Sequence, residues 1–472
     1  MPESLATLRR RLDDGSMSAV ELMDDALDRV AHLDPQVGAF ISIDGENARR
    51  AAQKADIQRA TGNAVPPLHG IPIAIKDNMD VAGRTTTMGA HRAFHHLATE
   101  DAVAVASLRR AGAIVLGKTN LHEFAWGATT ENEVFGITRN PWDPTRNAHG
   151  SSGGSAVAVS AGMVPLAIGT DTGGSIRNPA AVTGITGLRP THGLIDLSGT
   201  FPVAWTMDTV GPLARTAEDC DLALTIMARD PVPAPTPRPG GWRIGYDPRL
   251  CAAGVEADVR RRCEQALDDM SAQGITVVEM DLGDLNGHYE AWLITQTVES
   301  AVVHREWMQL HASKYSTDVW AQLRAGACAR ADDYLVAQQH RHVLRHRALA
   351  HLAGVDALAM PSAARTAAPV GRDSSDLART RFALTRDPAV FTSLASSLGF
   401  PAVSLPCGFV DGLPIGLQLV GAPFTDRILL GIGMHYQQVT SWHNATPPLL
   451  THLPGDEADS LQSYDNSPKN AI

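Results

Sequence analysis

The spacing of apolar residues predicts a change from helix to strand early in the chain. Residues 1–60 are predicted to form a helical segment that packs on the core. Within it Ser18 can cap a helix with Glu21 in the first turn, and apolar side chains then recur at helical spacing. Residues 71–75 instead alternate as a strand does, shortly after the prolines at positions 66 and 67.

The alternation of helical and strand-like patterns continues beyond residue 100. Helices are predicted over residues 101–111, 155–161 and 178–182, and short buried strands over 113–116 and 165–169. Strands and helices that follow one another in this way are typical of an α/β protein.

Two segments depart from this pattern. Residues 231–241 are rich in proline and precede a predicted strand at 242–245, so they either separate two domains or cross the surface of one. Residues 453–472 contain few apolar side chains and are predicted to form a flexible polar tail.

Composition narrows the class of protein. The chain has 472 residues, of which 44% are hydrophobic and 19% charged, and neither an apolar run long enough to span a membrane nor a secretory signal is evident. The sequence therefore predicts a cytoplasmic protein without a membrane partner. A net charge of −11 argues against nucleic-acid binding, and five scattered cysteines suggest neither disulfides nor a zinc site.

Residues 112–119 match the phosphate-loop pattern G-x-x-x-x-G-K-[ST]. A phosphate cradle needs a flexible loop that follows a strand and opens a helix. Here the four middle residues are strand-forming and a helix precedes them, so a strand followed by a turn is the preferred interpretation.

Residues 150–154 match the G-x-S-x-G elbow of α/β-hydrolases, with Ser152 at its centre. That elbow follows a buried strand, whereas residues 140–149 have the composition of a loop. His91, His95 and His96 lack a carboxylate partner and are interpreted as surface or loop residues, and no metal or other cofactor is predicted.

The glycines before Ser175 give a better candidate for a nucleophile. Residues 170–177 place Gly173 and Gly174 between an apolar strand and a predicted helix. Such a loop can aim consecutive backbone N–H groups at one point, as an oxyanion hole requires, although a turn that merely caps a helix has the same composition.

A serine nucleophile also needs a base, and Lys76 is the candidate. It ends the apolar strand predicted over residues 71–75, where desolvation would lower its pKa and leave a neutral amine able to accept a proton. The alternative is a lysine whose ammonium group reaches solvent.

These segments together resemble the hallmarks of the amidase signature family. The resemblance rests on residues 70–78, 150–155 and 169–177, with 75 residues from Lys76 to Ser151 and 24 from Ser151 to Ser175. It extends through residues 111–120, 130–132, 140–143, 211–213 and 401–421. The resemblance implies a single amidase domain over residues 61–452, with its catalytic core at about 66–220 and a large twisted, mostly parallel mixed sheet covered by helices. The proline-rich connector would then cross its surface.

The resemblance also implies a Ser–cis-Ser–Lys triad. Ser175 would attack the carbonyl carbon, and Ser151, in a cis peptide bond, would relay its proton to neutral Lys76. The backbone N–H groups of Thr172, Gly173, Gly174 and Ser175 would form the oxyanion hole. Supporting roles fall to Ser152, Ser155, Asp171 and Arg177.

The substrate is left open by these motifs. The resemblance implies a hydrolase of a small or aryl amide, with anilides, esters and carbamates as related substrates, and it is compatible with a homodimer. Residues 124–132 are also similar to biuret hydrolases, which suggests a urea-like substrate.

The third alternative is the glutaminase component of a glutamyl-tRNA amidotransferase, its A subunit, whose glutamine-binding arginine would correspond to Arg341. Residues 121–124 and 193–199 depart from the patterns of that component. Trp126, Thr129 and Arg341 are the candidates for the substrate pocket.

Overall fold

The framework of the molecule is one mixed sheet of eleven strands, seen in a computed structural model that describes residues 3–234, 241–371 and 390–452. In order across the sheet, the strands are Phe40–Ile43, Ile114–Thr119, Pro72–Lys76, Leu166–Asp171, Thr209–Ala214, Thr186–Arg189, Ala402–Val410, Leu413–Val420, Ala357–Pro361, Arg243–Tyr246 and Thr276–Glu279. The predicted single α/β domain with a large mixed sheet is confirmed.

Helices connect the strands and pack against them. Within the described residues the α-helices are Leu5–Asp13, Ala19–Val37, Gly45–Ala60, Val103–Arg110, Gly153–Ser160, Arg177–Thr183, Ala217–Met227, Pro248–Ala252, Ala257–Ala272, His288–Val303, Arg305–Leu310, Thr317–Ala327, Ala331–Leu352, Ser393–Leu398 and Asp426–Val439. None of these helices is long and apolar enough to cross a membrane.

Most neighbouring strands of the sheet are antiparallel, whereas a mostly parallel sheet was expected. Four of the ten neighbouring pairs are parallel and six are antiparallel. Parallel neighbours need a crossover, as helix Val103–Arg110 provides before strand Ile114–Thr119. Strands Ala402–Val410 and Leu413–Val420 instead form a hairpin, because Asp411 and Gly412 both have positive φ and suit a two-residue turn.

The N-terminal segment is helical except for one strand. The helix after Ser18 has the predicted capping box with Glu21 and ends at Gly38, which adopts the left-handed conformation. Strand Phe40–Ile43 then pairs antiparallel with Ile114–Thr119 at the edge of the sheet. Four residues are too few to display a period, so the helical prediction did not anticipate this strand.

The phosphate-loop pattern is a buried strand, as its interpretation as a strand requires. Residues Ile114–Thr119 are all buried within the sheet. Lys118 Nζ lies 2.5 Å from Asp77 Oδ1, with both side chains fully buried. The lysine of the motif therefore holds a carboxylate inside the protein.

Two predicted segments fall partly or wholly outside the described residues. The polar tail at 453–472 lies outside them, as do residues 235–240 of the proline-rich connector. The strand predicted after the connector is present as Arg243–Tyr246.

Candidate active site

The candidate site lies where two parallel strands end. Strand Pro72–Lys76 pairs in parallel with strand Leu166–Asp171, with Ile75 opposite Ile168. The carboxyl ends of both strands therefore lie at the same edge of the sheet. Ligand sites of open α/β sheets typically lie beyond this edge. Lys76 is the last residue of the first strand, and the glycine-rich loop follows the second.

Lys76 is completely buried and its amine contacts three hydroxyl groups. Nζ lies 2.8 Å from Ser151 Oγ, 2.8 Å from Ser152 Oγ and 2.7 Å from Thr170 Oγ1. Burial lowers the pKa of Lys76 to about 7, against the opposing effect of the Asp171 and Asp208 carboxylates. A lysine with this pKa is partly neutral near pH 7, and a neutral amine can accept a proton.

Ser151 and Ser152 reach this amine from the start of a helix. The Gly150–Ser151 peptide bond is cis, and helix Gly153–Ser160 begins directly after Ser152. Ser152 Oγ also donates to the carbonyl of Thr170 at 3.1 Å, and its N–H donates to the carbonyl of Ser175 at 3.1 Å. These bonds attach the segment that carries Ser151 directly to the glycine-rich loop.

Ser175 stands out in this loop by its exposure. It is the only residue between Leu166 and Thr191 that is not buried. It lines a small cavity together with Trp126, Asn178 and Trp292. Ser175 is therefore the most accessible residue of the loop and part of the cavity lining.

Bonds from several elements fix the backbone of this loop. Trp292 Nε1 donates to the carbonyl of Thr172 at 2.9 Å, and Thr392 Oγ1 donates to that of Gly173 at 2.6 Å. The N–H of Gly174 donates to Asp171 Oδ1 at 2.9 Å and is therefore already engaged. The N–H groups of Thr172, Gly173 and Ser175 have no hydrogen-bond partner within the described part of the chain.

Asp171 and two arginines form a buried charge cluster beneath the loop. Asp171 Oδ1 lies 2.9 Å from Arg177 Nη2 and 3.0 Å from Arg189 Nη1, and all three side chains are fully buried. Burial by itself would raise the pKa of Asp171, but the two guanidinium groups hold that pKa well below its usual range. The carboxylate therefore stays ionised and keeps its bonds to the loop N–H groups.

The other predicted site residues lie at three different places. Ser155 joins helix Gly153–Ser160 to the sheet through Thr119 Oγ1 at 2.7 Å and the carbonyl of Ile168 at 3.1 Å. Trp126 lines the Ser175 cavity. Thr129 is also buried, but it does not line the cavity. Its Oγ1 lies 3.4 Å from His122 Nδ1.

Arg341 lies outside the Ser175 cavity. It lines a second cavity with His192 and Arg345, where its guanidinium donates to the carbonyls of Ser397 and Thr206. The structure thus brings Lys76, Ser151 and the Ser175 loop together and leaves Arg341 apart from them.

Sequence reasoning missed several residues that build the site. Asn178, Trp292 and Gln296 line the cavity beside Ser175, and Arg189 completes the charge cluster around Asp171. Asn178 lies three residues beyond Ser175, within a helix that was predicted, so its proximity was the only local signal. Trp292 and Gln296 belong to helix His288–Val303, more than a hundred residues away along the chain, and no local pattern joins them to Ser175.

The chain resembles proteins of one family over nearly its whole length. A family model described as Amidase matches residues 21–430. The A subunit of a glutamyl-tRNA(Gln) amidotransferase from Roseiflexus sp. (strain RS-1) is 38% identical, over 94% of this chain and 98% of the relative.

Solved structures agree with this relationship. A crystal structure described as an amidase has a TM-score of 0.85 and 33% identity, covering 92% of this chain and 99% of its own. A structure described as a vestigial protein complex that reveals the origins of an s-triazine catabolic enzyme has a TM-score of 0.83 and 32% identity, covering 92% and 98%. Because the family model spans most of the chain and both sequence and fold agree with it, the chain belongs to the amidase family and is a hydrolase of carbon–nitrogen bonds.

Proposed function

We propose that this amidase cleaves a small uncharged amide through an acyl-enzyme on Ser175, with Ser151 as proton relay and Lys76 as base. The single observation that carries the proposal is the fully buried Lys76 amine, 2.8 Å from the Oγ of Ser151, whose neighbour Gly150 lines the same cavity as Ser175. A serine hydroxyl needs such an activating base at neutral pH.

In both half-reactions the proton moves between the reacting oxygen or nitrogen atom and Lys76 through the Ser151 hydroxyl group. Ser175 Oγ attacks the carbonyl carbon, its proton passes to Ser151 Oγ, and the proton of Ser151 passes to the neutral Lys76 amine. The tetrahedral intermediate collapses when this path returns a proton to the leaving nitrogen and the C–N bond breaks. Water then attacks the acyl-enzyme by the same route and releases the carboxylic acid and Ser175.

The negative oxygen of the intermediate needs donors that the loop has not already used. The backbone N–H groups of Thr172, Gly173 and Ser175 are suited to this role, because they lie beside the nucleophile and have no partner among the described residues. Gly174, which the family resemblance also included, already donates to Asp171. In this proposal Gly174 keeps the loop in shape, and its three neighbours bind the oxyanion.

The cavity favours an uncharged substrate. Its lining consists of Ala125, Trp126, Gly127, Ala128, Gly150, Thr172, Gly173, Ser175, Asn178, Trp292 and Gln296. None of these described residues carries a charge. Small amides, anilides, carbamates and biuret-like ureas all meet this condition.

A second candidate function is that of the glutaminase component of an amidotransferase, because curated relatives with 36–38% identity carry that description. Free glutamine has an α-carboxylate and an α-ammonium group, and burying either one unpaired is costly. Arg341, the residue that would correspond to the glutamine-binding arginine, lines another cavity. These contacts favour the free-standing amidase over the amidotransferase component.

One assay separates the two functions. The purified chain is offered propionamide, acetanilide, ethyl carbamate, biuret and glutamine, and the release of ammonia, amine and acid is followed with and without Ser175→Ala. The proposal predicts hydrolysis of uncharged substrates by the chain alone and its loss, by roughly 10³-fold or more, in Ser175→Ala. Activity with glutamine only after a partner is added would favour the amidotransferase component, and full activity in Ser175→Ala would refute the nucleophile.

A further inference from the structure

Three polar side chains line the Ser175 cavity without using all of their hydrogen-bonding atoms on the described residues, and in two of them the unused atom is buried. Trp126 Nε1 and Asn178 Oδ1 have no hydrogen-bond partner in the part of the chain that the structure describes, and each residue is only 2% exposed. Gln296 is 5% exposed and lines the cavity, and its amide makes no hydrogen bond within the described ranges. Buried polar groups are nearly always hydrogen-bonded, so two such exceptions beside an unbonded amide around one cavity require an explanation.

The neighbours of Gln296 show that its situation is specific. On the same helix, Thr295 Oγ1 accepts from Gln338, Glu299 accepts from Tyr334, and Ser300 donates to the carbonyl of Val203. The helix therefore satisfies its other buried polar groups within the protein. Gln296 is the one that meets the cavity instead.

These three side chains can offer a ligand both hydrogen-bond donors and hydrogen-bond acceptors. Trp126 offers one N–H, Asn178 offers one oxygen, and the Gln296 amide offers both kinds of atom. The orientation of Asn178 is set by Thr392, whose hydroxyl donates to the carbonyl of Gly173 and accepts from Asn178 Nδ2 at 3.4 Å. A ligand that satisfies all three side chains must itself carry an acceptor and a donor.

A carboxamide or ureido group matches this pattern better than the alternatives. Its carbonyl accepts from Trp126 or Gln296, and its N–H donates to Asn178. A carboxylate would face the Asn178 oxygen without a cation in the lining, and an alkyl group would leave all three side chains unpaired.

We propose that Gln296, together with Asn178 and Trp126, selects substrates that carry a second uncharged amide or urea group next to the scissile amide. This inference rests on the proposed function, because it assigns the substrate class of the cavity that Ser175 lines. It separates diamides and ureas from the simple amides, anilides and glutamine that the first assay includes.

Three amides of equal size test the selection. Malonamide carries a second carboxamide, malonamate replaces it with a carboxylate, and 3-methylbutanamide replaces it with two methyl groups. The expected kcat/KM for ammonia release is highest for malonamide, by roughly tenfold or more over each of the other two.

Gln296→Met removes the polar end of the side chain and keeps its length. We expect the ratio of kcat/KM for malonamide to kcat/KM for 3-methylbutanamide to fall roughly 10- to 100-fold. Thr297→Val is the matched control, because Thr297 lies on the same helix, donates within it to the carbonyl of Leu293 at 2.6 Å and does not line the cavity. It should leave the ratio between the two substrates unchanged.

Thermal unfolding distinguishes selection from a structural role. Gln296→Met and Gln296→Leu should keep or raise the Tm, because each places an apolar group at a position that is only 5% exposed and whose amide makes no hydrogen bond to the described residues. A clear fall in Tm, or an equal loss of kcat/KM for all three amides, would overturn the inference. Activity that depends on Ser175 but shows no preference for malonamide would refute this inference alone, whereas activity that survives Ser175→Ala would refute the proposed function itself.

Discussion

The proposed role of Lys76 as base predicts an activity that depends on pH near neutrality. Because burial lowers its pKa to about 7, the neutral base becomes populated as the pH rises through that value. We expect kcat/KM to increase on the acid side of about pH 7 and to level off above it. A profile from pH 5 to 9 measures this, and a profile that is flat from pH 5 to 8 would contradict the role of Lys76 as base.

Replacing Lys76 by methionine tests the same residue through stability. The folded protein binds the Lys76 proton less tightly than the unfolded chain, so this group lowers stability as the pH falls from its ordinary pKa of 10.5 toward 7. Lys76→Met removes that dependence and should lose activity by roughly 10³-fold or more while remaining folded at pH 7. Urea unfolding at pH 7 and 10 provides the measurement, and a variant that retains both activity and pH dependence would exclude the assignment.

Asp171 is the residue whose loss should disturb the site without touching the substrate. Asp171→Asn would leave the buried Arg177 and Arg189 guanidinium groups without their shared carboxylate, which typically costs about 3–5 kcal/mol. We expect the free energy of unfolding to fall by this amount, together with kcat. Asp143→Asn is a suitable control because the Asp143–Arg146 pair is partly exposed and should contribute about 1 kcal/mol or less.

Helix Gly153–Ser160, which follows Ser151, packs closely against neighbouring backbone at Gly154. A methyl group on Gly154 would lie 2.4 Å from the carbonyl oxygens of both Ala39 and Asn120, which are backbone atoms that cannot move alone. We therefore expect Gly154→Ala to destabilise the fold by about 1–3 kcal/mol and to reduce kcat, despite the higher helix propensity of alanine. Gly354→Ala, where a methyl group meets nothing within 4 Å, is the control that should leave both quantities nearly unchanged.

Regular elements were predictable wherever the signal was local. The helix after Ser18 and the strand that ends at Lys76 follow directly from capping and alternation, and both are present. The mainly antiparallel character of the sheet was not predictable in this way, because strand direction depends on which distant segments pair. The Asp411–Gly412 turn was a readable hairpin signal, and it accounts for one of the antiparallel pairs.

The site residues also differ in whether a local sequence signal could reveal them. Lys76, Ser151 and Ser175 lie in three compact motifs with characteristic spacing, so the sequence and its family resemblance pointed to all of them. Gln296 carries no such signal, because an amide on an amphipathic helix usually faces solvent. Only the packing of helix His288–Val303 against the glycine-rich loop, through Trp292 and the carbonyl of Thr172, brings Gln296 to the cavity.

At the scale of the whole molecule, the N-terminal helices and the sheet share one hydrophobic core. Leu33 and Met23 of helix Ala19–Val37 belong to the same continuous cluster as Ile75 beside Lys76 and Leu417 of the distant hairpin. A segment that shares its core with the site should not unfold by itself. We therefore expect residues 3–60 and the catalytic core to unfold in one transition.

Leu33→Ala tests this expectation at a distance from the chemistry. Leu33 is 1% exposed, so its truncation should cost about 2–5 kcal/mol and lower the Tm of the main transition, with activity lost over the same temperature range. Ile57→Ala is the matched control, because Ile57 is 69% exposed on the neighbouring helix and its truncation should change stability by about 0.5 kcal/mol or less. Calorimetry and residual activity are measured together on both variants. A separate early transition in Leu33→Ala, after which amide hydrolysis persists, would mean that the N-terminal segment is an independent unit.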